Sequence, residues 1–180
     1  MNEKSMGVMF SSNTDLWATP IQTFQQLNKA FNFNLDVCAS DDNAKCENYF
    51  TKEMNGLQQE WIGSCFMNPP YGKTIGDWIY KAYIESLKGS IVVCLIPART
   101  DTKYFQDYCI LASDIYFVRG RLKFGDSNNS APFPSCIVVF NKYTCTGTPR
   151  MHTLNSMTEL PVINIPIVYF DLIQPVYFIS

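Results

Sequence analysis

The stretch "SCFMNPPYGKTIGDWIYKAYIESLKGSIVVCLIP", residues 64–97, decides the fold class. It opens on "SCFM" (64–67), an apolar run of the length of a buried strand. "IGDWIYKAYIESLK" (75–88) follows, with Ile75, Trp78, Ile79, Ala82 and Tyr83 on one helical face. "SIVVCLIP" (90–97) is an almost unbroken apolar run, as expected of a parallel strand covered on both faces. Strand, helix and strand in this order predict a βαβ unit and an open α/β sheet.

The flanks repeat the pattern. "TPIQTFQQLNKAF" (19–31) places Ile21, Phe24, Leu27 and Phe31 at helical spacing, with Thr19 as N-cap and Pro20 as first helical residue. "FNLDVCA" (33–39) reads as a strand ending near Asp36, and the polar "DDNAKCENYF" (41–50) as one or two helical turns. "DTKYFQDYCILAS" (101–113) reads as a helix. "DIYFVRGRLKF" (114–124) and "SCIVVFN" (135–141) are β-rich, and the polar "GDSNNSAPFP" between them makes a long-looped hairpin at one sheet edge. The expected organisation is an arm over 1–14, one Rossmann-like, mostly parallel domain over 15–141, and an extension over 142–180 packed on it. Within that extension, the apolar run from Ile163 to Ser180 reads as strands or a partner-facing segment.

Composition narrows the function classes. The chain has 180 residues, 47% hydrophobic and 17% charged, which suits one domain with a core and not a disordered segment. A net charge of -2 means that any nucleic-acid surface must be a local patch. "MNEKSMGVMF" carries no apolar run of signal-peptide length, and no stretch reaches the length of a membrane span, so the expectation is a cytoplasmic protein without membrane contact. Seven cysteines form no C-x-x-C pair. Cys65, Cys94 and Cys136 fall in strand-like runs, where a thiol packs as a small hydrophobe, and no metal site is expected. His152 is the single histidine and has no obvious partner, which argues against histidine-based catalysis.

"NPPY" (68–71) stands where "SCFM" ends, and ligands of open α/β sheets sit beyond the carboxyl ends of the strands. Prolines stop a strand, but a plain turn explains neither the asparagine before them nor the aromatic after them. Pro69 and Pro70 stiffen the backbone and aim the Asn68 side chain and the Pro69 carbonyl. Both are acceptors and together can receive the two hydrogens of an exocyclic amine. Tyr71, displayed from a stiff turn, would offer a face on which a base can stack. Two fixed acceptors localise the lone pair of a base amine as it becomes tetrahedral, which favours the transition state over the ground state.

With these residues, "NPPYG" after an apolar strand resembles the catalytic motif of S-adenosylmethionine-dependent amino methyltransferases. The ordered set "DLWATP", "FNFNLDVCAS", "NAKCENYF", "GLQQEW", "MNPPYG", "IPARTDTKYF", "RGRLKF" and "APFPSCIVVF" resembles the small phage-encoded DNA N6-adenine methyltransferases, over about residues 15–141. The resemblance implies an enzyme that moves a methyl group from S-adenosylmethionine to a flipped adenine in DNA, acting in a bacterial host cell as a monomer or a homodimer. It implies catalytic Asn68, Pro69, Pro70 and Tyr71. It also implies cofactor contacts from Thr19, Pro20, Asp36, Cys38, Asn55 and Asn68.

The Gly-rich cofactor loop of the wider superfamily is replaced by Cys38 and Ala39, and Asn55 stands where an acidic residue is expected before Gly-Leu. Asp41, Asp42, Glu47 and Glu53 are the candidates for a ribose-binding acid. Arg119, Arg121 and Lys123 alternate along the predicted strand, and Arg99 follows the strand ending at Pro97 with Lys103 nearby. These are the candidate DNA contacts, to phosphates or to a guanine edge. The alternatives are another methyl acceptor, namely a cytosine amine, an RNA base or a protein glutamine, or a DNA-binding protein of the same fold with weak or lost turnover.

Overall fold

The unbroken apolar run becomes the centre of the sheet. A computed structural model describes residues 17–125 and 130–154. In chain order the elements are α1 (Ile21–Phe31), β1 (Leu35–Asp36), β2 (Asn48–Tyr49), a 3-10 turn (Gly56–Gln58), β3 (Ser64–Met67), α2 (Ile75–Lys88) and β4 (Ile91–Pro97). Then come α3 (Lys103–Asp107), a second 3-10 turn (Cys109–Leu111), β5 (Asp114–Val118), β6 (Ser135–Phe140) and β7 (Arg150–Leu154). Among the described residues the strands form one sheet in the order β2-β1-β3-β4-β6-β5-β7. Every neighbouring pair is parallel except the two that involve β6. All seven residues of β4 and all six of β6 are buried, as strands covered on both faces require.

The βαβ unit is as expected. α2 buries Ile75, Trp78, Ile79 and Ala82 against the sheet, and Gly89, at φ 125°, ends it. α1 buries Phe24, Leu27 and Phe31, whereas Ile21 is exposed. The helix begins one residue later than expected: Pro20 is the N-cap, and no side chain caps it. The Thr19 hydroxyl has another partner, described below.

The structure corrects several expectations. Residues 41–50 make a single helical-type turn, with the Asn43 and Ala44 N–H groups donating to the Ser40 carbonyl at 3.1 and 3.0 Å, and no helix beyond it. The Asn43 side chain accepts the Ser40 N–H at 2.9 Å and closes a local turn, after which the chain joins the sheet as β2. The helix expected over 101–113 leaves helical geometry at Tyr108 (φ -124°), which turns Cys109 and Ala112 into the core. The strand expected over 114–124 ends at Val118, because Gly120 takes φ 83° and redirects the chain. The β5–β6 hairpin forms, but β7 extends the sheet beyond it. His152, on β7, does have a partner: its Nε2 lies 2.9 Å from Asp114 Oδ1, and its ring stacks on Tyr116. The arm over 1–14 and the run from Ile163 to Ser180 lie outside the described residues.

Cys65, Cys94 and Cys136 are buried free thiols, as the strand-like runs predict. Among the described residues no cluster of His, Cys, Asp or Glu could hold a metal ion, and no helix is long and apolar enough to cross a membrane.

Gly56 is packed between the chain after β1, Trp61 and α2. Its carbonyl accepts the Trp61 indole N–H at 2.8 Å. A Cβ there would fall 2.2 Å from the Val37 carbonyl oxygen and 3.1 Å from the Trp78 ring. Gly56→Ala is expected to destabilise the fold by about 1–3 kcal/mol, because backbone must move to admit the methyl group. Urea unfolding should show this as a lower midpoint at unchanged slope.

Candidate active site

β1, β3, β4 and β5 run in the same direction, so the residues after their last positions gather at one edge of the sheet. Asp36 ends β1, Asn68 follows β3, and Arg99 and Arg119 follow β4 and β5. A cleft of about 580 Å³ opens at the β1–β3 half of this edge. Thr19, Asp36, Cys38, Asn55, Asn68, Pro69 and Pro70 line it together. Pro20, Tyr71, Arg99, Arg119, Arg121 and Lys123 are outside its lining.

Asn68 is the best-defined member. Its amide nitrogen donates to the Trp17 carbonyl and to the Thr19 hydroxyl oxygen, the latter at 2.8 Å. A side-chain amide has two hydrogens, and both are committed. The Trp17 carbonyl can only accept, so the nitrogen and not the oxygen must point at it. Oδ1 is therefore the group left over. It is buried and has no hydrogen-bond partner among the described residues. A buried acceptor without a donor is costly, and in a cleft it marks the place of a ligand's N–H.

The buried charge in the cleft is Asp36; Asp41, Asp42, Glu53, Lys45 and Lys52 also line it. Burial pushes the Asp36 carboxyl up to about 6, although the backbone N–H groups of Lys45 (3.1 Å) and Cys38 (3.4 Å) partly offset this. The Cys38 thiol is pushed well up, by burial and then by the charge of Asp36, so it stays neutral and packs as an apolar wall. Asn55 lies at φ 54°, in the left-handed region where asparagine is among the most tolerant side chains other than glycine. The local backbone thus has its own reason for an asparagine where an acid was expected. Of the ribose candidates, Asp41, Asp42 and Glu53 line the cleft and Glu47 does not. Asp41 already accepts the Tyr49 hydroxyl at 2.9 Å.

Tyr71 is not displayed. It is 5% exposed, and its hydroxyl donates to the Leu95 carbonyl at 3.2 Å. Its ring meets Phe124 and Phe133 edge-on, at centroid distances of 6.1 and 5.4 Å. Two prolines stiffen the turn, but the residue after them folds back over the end of β4, where an aromatic ring recovers more by burial than by exposure. Trp17 joins the same group, 5.5 Å from Phe124 and 5.0 Å from Phe133.

The site is thus an acceptor-only asparagine beside a buried carboxylate at the carboxyl edge of the sheet. The sequence profile of the DNA N-6-adenine-methyltransferase (Dam) family matches residues 8–159. The chain belongs to this family. Its reaction is methylation of adenine N6 in DNA. The DNA N-6-adenine-methyltransferase of Haemophilus phage HP1 is 34% identical over 161 residues, covering 82% of this chain and 92% of that one. The protein of the same name from Escherichia phage T1 is 30% identical over 112 residues, covering 60% and 46%. Among solved structures, a predicted O-methyltransferase from Agrobacterium tumefaciens covers 58% of this chain and 46% of that one, at 17% identity and TM-score 0.31, too loose an overlap to carry weight.

In this Dam-family chain Arg99 and Arg119 follow β4 and β5 on the other half of the edge, and Arg121 and Lys123 lie in the segment that runs from there back to Trp17 and Ala18. Arg99, Arg119, Arg121 and Lys123 are all exposed, and among the described residues none has an ion-pair partner. The three-residue stripe is corrected to two. Gly120 separates Arg119, while Arg121 and Lys123 still alternate with buried Leu122 and Phe124. Sequence reasoning missed Trp17 and Trp78 as cleft residues. Trp17 stands inside the quoted "DLWATP", so that motif held the signal. Trp78 reads as one more apolar position of α2, and nothing in its spacing sets it apart.

The Asp36 shift has a stability consequence. Its folded value, about 6, lies above the unfolded one, so protonation favours the folded chain. That stabilisation is fully present below about pH 4 and is lost as pH rises through about 6. Asp36→Asn should therefore gain on the wild type by an amount that grows from pH 4.5 to pH 7, on the order of 2–3 kcal/mol. Urea unfolding of both chains at the two pH values measures the difference.

Proposed function

We propose that this enzyme takes its methyl group from S-adenosylmethionine seated in the β1–β3 cleft, and receives an adenine turned out of the DNA stack at Asn68. One observation carries the reading: the buried, unpartnered Oδ1 of an asparagine whose amide hydrogens are both committed. The residues fit the donor. A carboxylate lies at the end of β1, and the acceptor that needs an N–H is on the same cleft wall. When bound, the sulfonium supplies an electrophilic methyl group.

The chain's own work is orientation. Asn68 Oδ1 and the Pro69 carbonyl hold the two hydrogens of the adenine amine and so direct its lone pair. Asp36, ionised at neutral pH, and Cys38, neutral, are cofactor contacts, with Asn55 at the same end; the Thr19 hydroxyl is committed to Asn68, and Pro20 lies outside the cleft lining. No side chain of the motif is a base, so the proton released from N6 passes to water after transfer. Tyr71 braces the motif from behind through Leu95. Arg99, Arg119, Arg121 and Lys123 hold the DNA, because all four are exposed and none has an ion-pair partner among the described residues. A base inside a duplex cannot reach such a site, so it must leave the stack, at a cost of a few kcal/mol.

Nucleoside mass spectrometry of DNA treated with the enzyme and S-adenosylmethionine tests the reading. N6-methyladenine is expected; methylcytosine alone would overturn it. Asn68→Ala should lower the single-turnover rate by roughly 10²–10³-fold while the cofactor still binds. Arg121→Ala should weaken DNA binding without changing cofactor affinity, and reduce the slope of log affinity against log salt by about one if Arg121 meets a phosphate. Filter binding across a salt series reads that slope.

A further inference from the structure

We propose that Thr19 is a positioning residue for Asn68: its hydroxyl, with the Trp17 carbonyl, holds the Asn68 amide so that only the oxygen can meet the target amine. This rests on Asn68 being the acceptor for adenine N6. Thr19 stands where a helix cap is expected, yet it caps nothing. It is 6% exposed, and its oxygen takes an Asn68 amide hydrogen at 2.8 Å. The partners lie 49 residues apart in sequence for Thr19 and 51 for Trp17, so no local turn aligns them.

The segment that carries both acceptors is itself anchored. The Ala18 carbonyl accepts the Gly125 N–H at 2.8 Å, and the Trp17 ring meets Phe124 and Phe133 edge-on. Pro20 and α1 fix the other end. The clamp is needed because a free asparagine amide presents an N–H as readily as an oxygen. A half-turn about the terminal bond would put a donor where the adenine amine brings its own hydrogens. The Trp17 carbonyl repels the wrong orientation, and the Thr19 hydroxyl, which can donate or accept, holds the amide in place against that carbonyl. A carbonyl belongs to the backbone and survives any substitution, so Thr19 is the half that can be tested.

Thr19→Val keeps shape and removes the acceptor; Thr19→Ser keeps the acceptor; Thr19→Ala removes it with less bulk, in case valine misfolds. Each is compared with the wild type by single-turnover methyl transfer to DNA, calorimetric titration with S-adenosylmethionine, and urea unfolding. Thr19→Val and Thr19→Ala should lower the rate at saturation by roughly tenfold to a hundredfold, as small misplacements of reacting groups do. Cofactor affinity should stay within about twofold, and Thr19→Ser should restore most of the rate. In an Asn68→Ala background, removing the Thr19 hydroxyl should cost nothing more, because the group it acts through is gone. Weakened cofactor binding with an unchanged saturated rate would make Thr19 a cofactor contact and overturn the proposal. A further loss in the Asn68→Ala background would overturn it too. If Asn68→Ala itself kept nearly full activity, the reading of Asn68 would fall first, and that outcome is distinct from a Thr19 failure.

Discussion

Strand direction is the constraint on which the site depends. β1, β3, β4 and β5 are parallel to one another, so each delivers its next residue to the same edge. Asp36, Asn68, Arg99 and Arg119 meet there, although 83 positions separate the first from the last (119 − 36). The two halves of the edge then differ in charge. The β1–β3 half carries four acids, Asp36, Asp41, Asp42 and Glu53, against two lysines, Lys45 and Lys52, around the cleft, and the β4–β5 half carries exposed arginines. A net charge of -2 conceals this division. At physiological salt, charges are felt over about 8 Å, so a polyanion meets the local patch and not the sum.

Within the edge, the polar groups fall into two kinds. Asp36 keeps a charge in a place that disfavours it, held by two backbone N–H groups. Asn68 is neutral and needs no counter-charge; it is held by direction alone, with both hydrogens committed. The two kinds suit the two partners proposed for them: a charged donor molecule, and a base amine whose lone pair must be pointed. In a site of low effective dielectric, a fixed neutral dipole contributes orientation without the desolvation cost of an ion.

The far edge of the sheet is closed by a second polar arrangement that has no part in the cleft. Asp114 on β5 accepts Arg150 Nε and NH2 at 2.8 and 2.9 Å, and also contacts His152 at 2.9 Å, both from β7. Burial raises the Asp114 carboxyl, but these hydrogen bonds outweigh it and hold the group below its ordinary value. The single histidine thus ties one strand to its neighbour, consistent with a reaction that uses none.

The sequence alone determined the βαβ unit, because helical and continuous apolar periodicities differ plainly over residues 64–97, and it singled out Asn68, because two prolines after a buried strand demand an explanation. Through the family resemblance it also named part of the cleft wall: Thr19, Asp36, Cys38 and Asn55 line it. Tertiary structure decided the rest. Tyr71 turns inward, since burial between Phe124 and Phe133 is settled by residues more than fifty positions away. The basic stripe breaks at Gly120, since a left-handed glycine and a continued strand read alike in a window of alternating residues. Thr19 leaves its expected cap to hold Asn68, since a hydroxyl chooses among partners only once the fold has brought them within reach.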